Sequence, residues 1–226
     1  SDAAKGTYTV VVTSGGCSDI ASTVVASTGE GRWTGNVDAN WSTANNWCNG
    51  IVPTSAVNVS IPTASVANNP TLNAVGSSNN ISVESGRILT IANGGNLQVA
   101  SAITNAGSIV ATAGKVTFNG TSAQVIPANV FSTNTIKDLE LNNAAGVTLN
   151  SALRLTGILT ATVGAFNANG NLTLASSLSS TAQVAPINTT VSSIQGQVKV
   201  ERFVRGGAMN PFRTTRMFSS PVYDNI

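Results

Sequence analysis

Two carboxylates stand two residues apart in "KDLEL" (residues 137–141): Asp138 and Glu140. On a strand, both side chains project from one face with Cα atoms ~6.5–7 Å apart, within reach of the paired acids that cleave glycosidic bonds. The rest of the chain gives them little support. There is no histidine, so the commonest general base, proton shuttle and metal ligand is missing. Only nine acidic residues occur in all, none clusters near this pair, and Lys137 beside it suits a solvated strand face. The expectation is no catalytic residue and no enzyme, with a glycan-cleaving β-helix as the lesser alternative.

The second candidate is aromatic. All three tryptophans, Trp33, Trp41 and Trp47, fall in "RWTGNVDANWSTANNWCNG". Indoles with open faces make a sugar platform; indoles turned inward make an apolar plug. The plug is the expectation, and a carbohydrate-binding module built on these three residues is the alternative.

The remaining candidates are weaker. Cys17 and Cys48 could form one disulfide, or either could pair outside this stretch of chain; both readings stay open. Neither belongs to a zinc-like spacing, and no Asp-rich calcium loop occurs, so no metal and no cofactor is expected. Lys199, Arg202, Arg205, Arg213 and Arg216 fall within eighteen positions and could meet a polyanion, although a polar linker explains them as well. Thr90, Thr117, Thr148 and Thr173 hint at a flat crystal-binding ladder, but Gln98, Glu140 and Arg154 interrupt it, and threonine simply favours strands. Asn-x-Ser/Thr triplets at Asn40, Asn58, Asn80, Asn119, Asn171 and Asn188 are what an Asn- and Thr-rich chain yields by chance.

The 226 residues are 42% hydrophobic and only 9% charged, against roughly 25% charged in an average soluble protein. That balance builds a core and argues against disorder. A net charge of +2 leaves no footprint for nucleic acid or an anionic membrane. No apolar run approaches the ~18 residues of a membrane span, and no signal peptide is seen, so the numbering is expected to start inside a mature or truncated product.

The elements that must position these residues are short strands. "GTYTVVVTSGGCS" alternates, turns at Gly-Gly and is followed by "IASTVVAS", which suggests the closing hairpin of a β-sandwich whose earlier strands are missing. From about residue 55 the pattern becomes periodic. Ile81/Val83, Leu89/Ile91 and Leu97/Val99 are apolar pairs eight residues apart, separated by turn formers. Ile91 to Val110, Val99 to Phe118 and Leu155 to Leu174 are each nineteen residues; Leu141 to Ala161 is twenty. Leu139/Leu141, Val147/Leu149 and Leu153/Leu155 form a second triplet. Three short strands per turn of about twenty residues describe a parallel β-helix solenoid of about seven coils. Leu89, Ile91, Leu97, Val99, Leu141, Leu149, Leu155 and Leu174 should point inward. The residues between them, Ser82, Thr90, Gln98, Thr117, Glu140, Thr148, Arg154 and Thr173, should face solvent. The fold class is all-β. The expected divisions are sandwich strands at 1–28, a Trp-rich cap at 29–54, the solenoid at 55–196, and a linker or a following β module at 197–226. A solenoid leaves an open apolar interior at each end, which explains tryptophans placed just before the first coil.

"RWTGNVDANWSTANNWCNGIVPTSAVNVSIP" followed by "NISVESGRILTIANGGNLQV" resembles the repeat stalks of large secreted, adhesin-like surface proteins of Bacteroidota exported by the type IX route. "GTYTVVVTSGGCS" resembles the end of the Ig-like or PKD-like modules that precede such stalks. "GQVKVERFVRGG" and "RTTRMFSSPV" resemble the link into the module that follows. The resemblance implies extracellular, cell-surface display and a structural, non-catalytic role. Its implied partners are neighbouring domains of the same polypeptide, with surface glycans or other cells beyond them, and no membrane insertion. It carries no site residues.

Overall fold

The computed structural model describes residues 6–14, 17–25, 30–64 and 66–204. Strands β1 (Gly6–Ser14) and β2 (Cys17–Val25) pair antiparallel from Gly6↔Val25 to Ser14↔Cys17, the hairpin that the alternation suggested. The rest of the proposed sandwich edge lies outside the described residues.

From Val59 onward the chain winds into a parallel β-solenoid, about six turns of about 21 residues between residues 59 and 184. The first turn holds β3 (Val59–Ile61), β4 (Thr71–Leu72) and β5 (Val75–Ser78). The second holds β6 (Ile81–Val83), β7 (Ile88–Ile91) and β8 (Asn96–Val99). In the third, β9 (Ile103–Asn105) is followed by the long β10 (Ser108–Phe118), which rounds a corner so that one half pairs with β7 and the other with β8. Then come β11 (Gln124–Ile126), β12 (Thr135–Asn142), β13 (Val147–Leu149) and β14 (Leu153–Leu155). The strand β15 (Ile158–Asn167) also bends across two faces, and β16 (Leu172–Leu174), β17 (Gln183–Val184), β18 (Ser192–Gln195) and β19 (Val198–Val200) close the stack. The bend in β15 falls at Gly164, whose φ of +85° and position 1.8 Å (measured from an added Cβ) from Asn143 O admit no side chain.

All eight residues expected to point inward are buried. The three-residue strands β3, β6, β13, β14 and β16 read buried, half-buried, buried, as the period of two requires. Three expectations need correction. Val110 does not take up the inward column from Ile91. It lies opposite Thr90, and Ala111 is the buried residue, because this coil adds one residue at its corner. Thr117 was expected to face solvent, yet it is only 3% exposed. Its hydroxyl donates to Asn96 Oδ1 at 2.9 Å and Glu140 covers it from the next coil. Strand β19 runs past residue 196 and still pairs with β16, so the ladder extends beyond the boundary read from sequence.

The last strand is also held by a long-range ion pair. Arg154 on β14 grips Glu201 through both guanidinium nitrogens, and the Ser176 N–H donates to the same carboxylate. The Arg154 bonds first, and that N–H second, hold the Glu201 carboxyl below its ordinary value of 4.5. A lowered pKa stabilises the fold fully above about pH 4.5 and ceases to do so as pH drops through the lowered value. The melting temperature of Glu201→Gln should therefore lie below that of the wild type at pH 7, with the gap closing in strong acid. A gap that stayed constant into acid would remove charge from the explanation.

Candidate functional site

The tryptophan segment closes the N-terminal mouth of the solenoid. Arg32 bridges to Ser60 and Asn40 to Thr71, so the segment lies as a partial extra coil over β3 and β4. Trp33, Trp41 and Trp47 are 0%, 1% and 2% exposed. Trp47 meets the other two edge to face, at 4.9 Å from Trp33 and 4.6 Å from Trp41, while Trp33 and Trp41 stack at 6.5 Å. These separations are the favoured ones for aromatic pairs. Trp33 Nε1 donates to Asn68 O and Trp47 Nε1 to Trp41 O, each at 2.7 Å. Trp41 Nε1 is buried without a partner, pressed against Gly76, where an added Cβ would come within 2.8 Å of it. A sugar platform at Trp33, Trp41 and Trp47 is corrected by this geometry: stacking on a sugar needs an open ring face, and all three faces are shut.

A buried asparagine that sequence reading did not single out holds the plug in shape. Asn46, fully buried, accepts from the Val37 and Asp38 N–H groups and donates to Asp38 Oδ1 and Asn40 O. Asp38 also receives the Asn40 N–H and the Thr43 hydroxyl. The Asn46 amide first, then the Asn40 N–H, hold the Asp38 carboxyl below its ordinary value of 3.8. "VDAN" before "NN" carries the signal, since Asp and Asn bond neighbouring backbone in turns, but only the fold shows which residue each one reaches.

The plug is also where a family likeness begins. The family described as domain of unknown function DUF8693 matches residues 32–113. That span, less than half of the chain, starts beside Trp33 and ends within β10, so it takes in the plug and the coils laid on it. No curated protein and no solved structure matches the chain.

The carboxylates of "KDLEL" are committed to neighbouring coils. Asp138 sits at the corner of β12, where its Oδ1 accepts the Ile158 N–H at 2.7 Å and its Oδ2 lies 3.9 Å from Lys137 Nζ. Glu140 faces outward from the strand, takes Lys115 Nζ at 2.6 Å and accepts from the Thr117 and Thr162 hydroxyls. The two acids thus tie coil to coil. Lys199 and Arg202 are exposed near the last strand, whereas Arg205, Arg213 and Arg216 lie outside the described residues. Cys48 is a half-buried thiol in a short 3-10 turn, and the side chain of Cys17, its possible disulfide partner, lies outside the described residues. Thr90, Thr148 and Thr173 are half-buried, shaded by the residues one coil away, so they form no open ladder. Among the described residues, no three His, Cys, Asp or Glu gather as a metal site, and no helix is long and apolar enough to cross a membrane.

Proposed function

We propose that the chain is a non-catalytic stalk segment of a secreted, adhesin-like bacterial surface protein, holding a binding tip away from the cell. The observation that carries this reading is the coil-to-coil bonding. On two faces, parallel ladders pass from coil to coil, one from β4 to β19 and the other from β5 to β17, reinforced outside by Lys115–Glu140 and Arg154–Glu201. Extension along the stack must break these ladders rung by rung. The carboxylates that could have served glycan cleavage act as struts in the same ladders. The resemblance to repeat stalks of Bacteroidota surface proteins points the same way and adds the type IX export route and the cell-surface location.

Pulling the single chain from its two ends tests the mechanical part. Release should come in steps near one coil, ~70 Å for about 21 residues at ~3.5 Å each. Extension of most of the contour in one event at low force would sink the stalk reading. Antibody against the solenoid should label intact cells; labelling only after permeabilisation would remove the surface location.

A further inference from the structure

We propose that the gap between β9 and β11 binds an extended, uncharged peptide segment of another protein, which enters as an added strand. Among the described residues, the third face of the solenoid is where the ladder is broken between two successive coils. Its strands fall into two sheets, β3-β6-β9 and β11-β13-β15-β18, with no pairing between β9 and β11.

Both facing edges carry backbone groups aimed into the break. Ala102 O accepts the Ile81 N–H, so in a parallel strand Ile103 turns its own N–H and C=O to the side away from β6. On the other edge, the Gln124 N–H donates to Gly146 O and Ile126 O accepts the Asn150 N–H. Strand β11 thereby spends residues 124 and 126 on β13, and Val125 turns its N–H and C=O toward β9. Ile103 and Val125 both line a cavity of about 400 Å³. One end is shut by the Gln124 amide, which donates to Val99 O and Ser101 O.

The lining chemistry selects the occupant. Two N–H and two C=O groups on opposed edges match the main chain of an extended peptide, the mode in which backbone bonding gives affinity and side chains give only fit. Ser101, Ala102 and Ala123 leave room for small side chains, and the 43% exposed Val125 offers an apolar contact. None of the described lining residues is charged, which disfavours a charged peptide, and none is aromatic, which disfavours a sugar.

The test uses the whole chain and a fluorescent eight-residue probe, Gly-Ser-Thr-Val-Thr-Val-Ser-Gly, followed by anisotropy. Saturable binding is expected, weakened at least tenfold by Val125→Pro, which deletes one edge donor while sparing the β13 ladder. Ala123→Trp, which fills the cavity from an exposed position, should weaken it equally, and circular dichroism should show both variants folded. The same probe with alternate amides N-methylated should bind at least tenfold more weakly. No saturable binding by the wild type overturns the proposal, and so does equal binding by either folded variant or by the methylated probe. Displacement of the probe by maltohexaose would assign the gap to a glycan. A wild-type dimer that Val125→Pro dissolves would assign it to a second copy. Either result overturns the peptide.

Discussion

Trp47→Ala is expected to lower stability by about 3–5 kcal/mol, the cost of truncating a large buried aromatic in a site that cannot collapse around the hole. Trp47 meets both other indoles edge to face, so its removal unseats two ring contacts and leaves Trp41 O without the indole donor. The loss is also local. Amide exchange should quicken first in β3 and β4, the strands beneath the plug, and last in β14 and β16 near the far end. Thermal melting and hydrogen exchange together check this. Unchanged stability in that variant, combined with loss of a signal on a glycan array, would overturn the plug and restore a lectin.

The second large effect distinguishes two adjacent residues on β13. Leu149 is 1% exposed and its neighbour Thr148 is half-buried on the outer face. Leu149→Ala should cost about 2–5 kcal/mol, because it opens a cavity in a close-packed interior. Thr148→Ala should cost well under ~1 kcal/mol, since little apolar area is lost and no bond from its hydroxyl stabilises the coil. Urea unfolding of both variants measures the pair. Reversed costs would mean that β13 is displaced by one residue in register.

How far the fold was legible follows from what periodicity encodes. Leu97 and Val99 predict Leu97↔Val116 and Val99↔Phe118, because that face keeps a spacing of nineteen. The same spacing misplaces Val110, since Ile81 to Ile103 takes 22 residues and Leu89 to Ile109 takes 20. Corners absorb residues without leaving a mark in the apolar pattern. The tryptophans announced the plug by type and position alone. Asn46 did not, because one more asparagine in an Asn-rich chain carries no sign of burial. Gln124 was silent for the same reason, and the Arg154–Glu201 pair joins residues 47 apart that no local pattern relates. Side chains that act through partners distant in sequence are set by the number of residues per coil, which is the quantity the sequence states least well.

The plug also gives the molecule a direction of assembly. A first coil has no ladder to copy and must order its backbone with half its bonds missing, but here three indoles supply it with a prepared apolar seat. Each later strand finds its template about twenty residues back, so the search is short and its entropic cost nearly constant from coil to coil. At the other end β17, β18 and β19 each pair on one side only among the described residues, with Val184 and Val191 exposed beside them. One end is finished and the other can be extended, so order should propagate from the amino terminus onward, in the sequence in which the ribosome delivers the chain.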